Sequence, residues 1–238
     1  MFRMKSGIKI MRYGVRFRDS EMEKIYKYEG KLATSPILEF IAKYSNRCQG
    51  NLVDIGCGNK PYIDFFSHVD RHIGVDIAGD QADIIADAVF LPLQSDSIDV
   101  VLCNQVLEHE SDPDKLLVEI SRILKEGGLL ILSAPQMGRL HGEPYDYYRY
   151  TRWGLKYLIE KNGMKIDIIE SHGGFFRSIG SHFDFFIIDY FGKNKCIKNI
   201  LRFTVININN FMSNFIDNLI RWEKDTLGYN IIARKGVH

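Results

Sequence analysis

Short apolar runs at 52–55, 72–75, 83–86, 99–103 and 129–133 alternate with stretches of helical periodicity. That alternation predicts a parallel sheet with crossover helices, because parallel strands are buried on both faces and need a connection long enough to cross back. The expected fold is α/β: a Rossmann-like, doubly wound sheet. Ser35-Pro36 ahead of Ile37, Leu38, Ile41 and Tyr44 reads as a capped helix leading into the first strand, with Pro at the first helical position. Asp112 and Pro113 open a second helix with a buried face of Leu116, Leu117, Ile120, Ile123 and Leu124, and Gly127-Gly128 is read as its end. A further helix over 151–160 precedes a strand at 165–169, and a last strand is expected at 228–233.

Between those last two strands lies an insertion spanning about 173–226. In it Ile208, Phe211, Met212, Phe215, Ile216, Leu219 and Trp222 follow the i, i+3, i+4 spacing of an amphipathic helix. Its apolar face is expected to cover core or the partner in a homodimer, with a substrate lid and a membrane-surface contact as the alternatives. The first 18 residues carry six basic side chains and no acid, with no apolar stretch of signal-peptide length behind them. They read as a solvated arm, so the expected organisation is an arm and helix over 1–34 and one domain over 35–238. No apolar stretch is long enough to span a bilayer, while peripheral membrane contact stays open.

Charge and cysteine usage narrow the function. With 31 Lys and Arg against 30 Asp and Glu, the net charge of +1 gives no global field for a polyanion, so nucleic acid is not an expected partner. The four cysteines contain no C-x-x-C pair, which excludes a zinc knuckle and a disulfide scaffold and points to a reducing, cytoplasmic compartment.

The chemistry concentrates at Asp54-Ile55-Gly56-Cys57-Gly58-Asn59-Lys60-Pro61, where an apolar strand runs into a glycine turn and an expected helix opened by Pro61. Glycines let the backbone approach a ligand closely, and free N–H groups there favour an anionic group. A dinucleotide fingerprint needs a third glycine where Pro61 stands, and a P-loop needs a Gly-Lys-Ser/Thr that is missing. The remaining fit is a ligand with a smaller anion, such as an amino-acid carboxylate, with Asp54 near its ammonium. Asp76, 20 residues after Gly56 and followed by Ile77, ends the second strand, where an acid accepts hydrogen bonds from both ribose hydroxyls.

With these residues the chain resembles the class I S-adenosylmethionine-dependent methyltransferases. The likeness extends through Ala86-Asp87-Ala88, Leu91-Pro92-Leu93, Ser97-Ile98-Asp99-Val100-Val101, Asn104-Gln105-Val106-Leu107-Glu108-His109 and the segment from Leu124 to Pro135, covering about 35–170. It implies a seven-stranded sheet, mostly parallel with an antiparallel last strand. It also implies S-adenosyl-L-methionine as cofactor. Gly56, Cys57 and Gly58 would touch its methionine part, with Asp54 near the amino group. Asp76 would hold the ribose with Ile77 beside it, Asp87 and Ala88 the adenine, and Asn104 and Gln105 would line the site beside the sulfonium. Lys60 departs from the family's commoner turn, which has glycine there.

Methyl transfer is an in-line displacement at an activated carbon, so the protein mainly aligns donor and nucleophile and excludes water. The Asn/Asp-Pro-Pro-aromatic motif of the family's nucleobase-amine methylators is missing after Asn104, and no acidic cluster with ligand-like spacing is evident nearby, so no metal is expected. The segment from His141 to Thr151 follows the fifth strand, where such folds form their ligand crevice, and offers a titratable His, phenols and a cation. It resembles a loop of methyltransferases associated with glycan biosynthesis. His141 is the candidate general base, with Tyr145 and Tyr148 as pocket walls; His109 competes for the role and His172 is a third candidate. The expected activity is metal-independent methylation of a hydroxyl on a small molecule or glycan precursor. The rival is a catalytically silent binding or scaffold subunit of the same fold, and an NAD-dependent oxidoreductase ranks behind both.

Overall fold

A computed structural model describes residues 31–191 and 194–237. The expected basic arm lies outside the described residues. Seven strands form one sheet: β1 (Asn51–Ile55), β2 (Arg71–Asp76), β3 (Ile84–Ile85), β4 (Ile98–Asn104), β5 (Leu124–Pro135), β6 (Met164–Ser171) and β7 (Gly228–Lys235). Their order is β3-β2-β1-β4-β5-β7-β6. Neighbouring strands are parallel except on both sides of β7, which runs antiparallel to β5 and β6. The order reverses between β1 and β4, and in open α/β sheets the crevice beyond the strand ends at that reversal receives ligands.

Alternate residues of the central strands feed two cores, as the two-residue period of a strand requires. Val53, Ile55, Val101, Cys103, Leu130 and Leu132 pack on one face with helices α2 (Pro113–Ile123) and α3 (Arg152–Lys161). Leu52, Val100, Leu102 and Ile131 pack on the other with helix α1 (Lys31–Tyr44) and the short 3-10 turn Ile63–Phe66. The signals at helix starts work as read for α2 and α3: Asp112 accepts from Lys115 N, and Thr151 Oγ1 accepts from Gly154 N at 3.1 Å.

Three boundaries differ from expectation. Pro36 lies inside α1, which already runs from Lys31, because buried Leu32 extends the packed face upstream of the proline toward Gly180. Helix α2 stops at Ile123, short of Gly127: Leu124 is extended, pairs with Ile98 and starts β5. No α-helix follows Pro61. The chain makes only the turn that buries Phe65 and Phe66 before β2 begins, so the glycine turn has no helix N-terminus behind it.

The insertion forms α4 (Phe175–Phe191), α5 (Lys195–Leu201), a π-helical turn (Arg202–Ile206) and α6 (Asn207–Leu219). Its orientation removes the core alternative for the apolar face of α6 and leaves that face open to a partner, a substrate or a surface. Asn210, Ser213 and Asp217 are the buried residues of α6, whereas Phe211 is 68%, Phe215 57% and Leu219 73% exposed. The reason lies in the contact with α4. Asp217 accepts from the backbone N–H of Gly174 at 2.8 Å, Asn209 donates to Asp184 and to the Gly180 carbonyl at 2.8 Å, and Arg177 donates to Asn214 at 2.7 Å. At Gly180 the helices approach so closely that a Cβ would lie 2.2 Å from Ser213 Oγ. These polar bonds need the small, hydrophilic stripe inside.

His172 is buried, with Nε2 2.8 Å from Asn230 Oδ1, and burial pushes its pKa down to about 4. As the pH falls below the unfolded value of 6.5 the unfolded chain protonates first, so stability is lost between 6.5 and about 4. A His172→Gln variant removes this loss, worth up to about 3 kcal/mol. Denaturant melts of both proteins over that range check it as the difference in pH slope. Buried Asp184, pushed up to about 7, has the opposite slope in both proteins and cancels in the difference.

Candidate functional site

The crevice lies at the carboxyl ends of β1, β2 and β4. Gly56 (φ 66°) and Gly58 (φ 49°) turn the chain there, and a Cβ on Gly56 would meet Val106 Cγ2 at 2.5 Å, so only glycine lets the turn lie against the end of β4. Lys60, at φ 50°, takes the left-handed conformation for which glycine is the usual residue. Its ammonium reaches Asp83 Oδ2 at 2.6 Å, and Gly74 leaves room for the side chain: a Cβ there would sit 2.3 Å from Lys60 Cε. That ion pair holds the departed glycine position in place. Asp83 also accepts from Gly74 N, and its pKa is lowered by Lys60 first and by that backbone bond second.

Asp76 sits half-buried at the end of β2. One carboxylate oxygen accepts from Gly58 N at 2.8 Å and the other from Ile77 N at 2.8 Å. The acid therefore organises the glycine turn and keeps further lone pairs for a ligand. Asp54 lies one level below, 2% exposed, with its carboxylate 3.3 Å from His72 Nε2; burial raises its pKa. Cys57 is buried beside these acids, and its thiol is pushed up to about 11 by burial first and Asp54 second.

Asp87 is exposed and accepts from Val89 N at 3.1 Å through one oxygen, with Ala88 beside it. At the end of β4 the Asn104 side-chain amide nitrogen is buried without a hydrogen-bond partner, a donor aimed at nothing the chain supplies. Gln105, at φ 53°, turns away and donates to Ser133 Oγ at 3.1 Å, so its side chain braces β5. S-adenosylmethionine fits this set: a glycine turn for its carboxylate, Asp76 for vicinal hydroxyls, Asp87 for an amine and an orphaned donor at Asn104.

Beyond Asn104, the turn Leu107–His109 carries a fully buried Glu108 whose two carboxylate oxygens have no hydrogen-bond partner. The 141–150 loop folds over it. The Glu108 carbonyl accepts from Tyr147 N, the Tyr150 hydroxyl donates to the Leu107 carbonyl at 2.8 Å, and the Tyr148 hydroxyl donates to the Ser111 carbonyl at 3.0 Å. This brings His141 Nε2 to 3.8 Å and His109 Nε2 to 3.9 Å from Glu108 Oε1, with the two rings edge to face at 4.8 Å. His109 Nδ1 is 2.6 Å from the Tyr145 carbonyl and His141 Nδ1 3.2 Å from the Arg139 carbonyl, which makes both Nδ1 atoms donors and leaves both Nε2 lone pairs facing the acid.

Behind His141, Asp146 accepts from its backbone N–H at 3.0 Å and from both terminal nitrogens of Arg149; that guanidinium drives the Asp146 pKa well below the usual carboxylate range. The His141 pKa is raised, by Glu108 first, with burial opposing.

His109 and His141 thus meet at one acid, with Tyr145 and Tyr148 exposed on the same loop. His172 is displaced from the crevice: it follows β6, separated from β4 by β5 and β7. The central acid, Glu108, was read only as part of a motif. Folding also creates what sequence spacing did not show: the ligand atoms of Glu108, His109 and His141 lie within 4.8 Å of one another, close enough to gather round a cation.

A family model described as a methyltransferase domain matches residues 53–132. An uncharacterized protein of Methanocaldococcus jannaschii is 29% identical over 135 residues, 53% of this chain and 60% of that protein. An uncharacterized methyltransferase of Bacillus subtilis is 26% identical over 48% of this chain and 52% of its own length. The matches therefore span little more than half the length of these curated relatives. Among solved structures, a SAM-dependent methyltransferase from Archaeoglobus fulgidus superposes with a TM-score of 0.56 at 19% identity, covering 91% of this chain and all of that one, which shows the shared fold.

Proposed function

We propose that this chain is a class I S-adenosylmethionine-dependent methyltransferase, a reading supported by the methyltransferase-domain match over 53–132 and the cofactor-shaped crevice, and that it methylates a hydroxyl group of a small molecule or glycan precursor. The observation that carries the acceptor assignment is the buried, partnerless Glu108 carboxylate flanked by two imidazoles, four residues beyond Asn104 at the end of β4. A hydroxyl is a weak nucleophile at neutral pH and needs a group to take its proton, whereas a neutral amine does not.

S-adenosylmethionine supplies a methyl group on a sulfonium that leaves with its bonding electrons. Asp76 and Asp87 hold the nucleoside, and the turn at Gly56–Gly58 with Asp54 beneath it holds the amino-acid end. His141, the more exposed of the two imidazoles, takes the acceptor proton at Nε2, and Glu108 stabilises the imidazolium that forms. Asp146, itself fixed by Arg149, keeps the ring oriented. No metal takes part in this reading. A second reading is favoured by the three converging ligand atoms: Glu108, His109 and His141 hold a divalent cation that acidifies the hydroxyl. The free thiols of all four cysteines favour a reducing, cytoplasmic setting.

The experiment is a labelled-methyl assay over pooled hydroxyl acceptors and glycans, with metal analysis of the purified protein. Transfer to oxygen by metal-free protein supports the first reading, and a stoichiometric cation required for turnover supports the second. Transfer only to amines overturns both, and S-adenosylhomocysteine binding without turnover on any acceptor favours the scaffold role.

A further inference from the structure

The helical insertion is inside out. Small and polar residues line most of its helix contact, and many of its large apolar side chains face outward: Phe183, Phe186 and Tyr190 on α4, Ile197 and Ile200 on α5, and Phe211, Phe215 and Leu219 on α6 are all more than 40% exposed, whereas Ile187 and Ile206 are buried. Single exposed apolar side chains are ordinary, but a run of large ones on three successive helices marks a surface built to be covered. Inside the hairpin Asn209, Asp217 and Arg177 find partners, while Ser181 Oγ, Asp184 Oδ2 and both side-chain polar atoms of Asn210 are buried without one.

Charge selects the cover. Between Asp189 and Asp217 the sequence holds Lys193, Lys195, Lys198 and Arg202 and no acid, and Asp217 itself is buried. A second copy docked on the same face would set these cations against themselves. The basic first 18 residues are an equally poor occupant, for the same reason. An anionic lipid surface satisfies both features, the apolar side chains entering the acyl boundary and the cations meeting the headgroups. No helix among the described residues is long and apolar enough to cross a membrane, which leaves a surface-lying mode.

We propose that the insertion is a monotopic membrane-docking element that seats the protein on anionic bilayers through the outer faces of α4, α5 and α6. This is independent of the acceptor assignment, because it uses none of the crevice residues.

The test is sedimentation of the full-length protein with phosphatidylcholine vesicles, with and without phosphatidylglycerol. Binding is expected to need the anionic lipid, to weaken in salt, and to fall at least about tenfold in Phe211→Ser/Phe215→Ser. Lys195→Glu/Lys198→Glu should cost about 25-fold or more, since each cation near an anionic surface is worth about fivefold. Unchanged S-adenosylhomocysteine affinity and helix content establish that the variants remain folded. Protein that stays in the supernatant at low salt, or that pellets equally with neutral vesicles, overturns the proposal. So does a stable dimer that ignores lipid and is split by the two serine substitutions.

Discussion

Asp76→Ala should weaken S-adenosylhomocysteine binding by about a hundredfold, equivalent to about 2.7 kcal/mol. Two effects add. The carboxylate offers the charge-assisted acceptors expected for a ribose, each worth about 1.5–3 kcal/mol when the donor is otherwise left buried and unpaired. It also anchors the cradle through Gly58 N and Ile77 N, both at 2.8 Å, so its loss frees the glycine turn. Asp76→Asn retains one acceptor and should show roughly a tenfold effect. Isothermal calorimetry with a thermal melt of the unliganded protein separates the terms: a variant as stable as the parent with unchanged affinity removes Asp76 from the cofactor site. NAD should give no heat with any of these proteins, since Pro61 stands where a pyrophosphate-binding turn requires glycine.

The second large effect is expected at His141. Removing a positioned general base costs about 100-fold or more in kcat, and KM should change little because the proton moves only on the way to the transition state. The pH profile adds a readout that a structural role would not move. Glu108 first, then the Arg139 carbonyl and Asp146, raise the His141 pKa, so the neutral ring needed to accept a proton dominates only above that raised value, and activity should rise along a limb placed higher than an ordinary imidazole would give. Replacing Glu108 by Gln removes the main cause and should move the limb to lower pH. His109→Ala should retain more activity than His141→Ala, because its ring is less exposed to an incoming acceptor. Full turnover by His141→Ala across about pH 6 to 9 would falsify the assignment.

The helical insertion connects this chemistry to location. A hairpin that lies on anionic lipid would present the crevice to acceptors carried at the membrane surface, whereas a crevice serving only diffusible metabolites gains nothing from such a face. Vesicle binding and methyl transfer are separable measurements, so either can stand without the other.

Much of this protein was decided by local sequence. Strands buried on both faces must be apolar at nearly every position, so β1, β4 and β5 stand out in a single chain, as do the breaks where Gly56, Asp112-Pro113 and Asn162-Gly163 stop or start an element. The glycine turn and Asp76 were legible because backbone conformation and strand-end position are local constraints. Tertiary structure alone decided the rest. Periodicity in α6 revealed a stripe, but a helix has two sides, and only the close approach at Gly180 with the Asp217 and Asn209 bonds determined that the polar one turns inward. The meeting of Glu108 with His141 likewise depends on the loop after β5 being tied to the end of β4 by Tyr147, Tyr148 and Tyr150. No spacing along the chain encodes it, because the loop-to-strand bonds that create the pair exist only once both segments have been folded against the sheet.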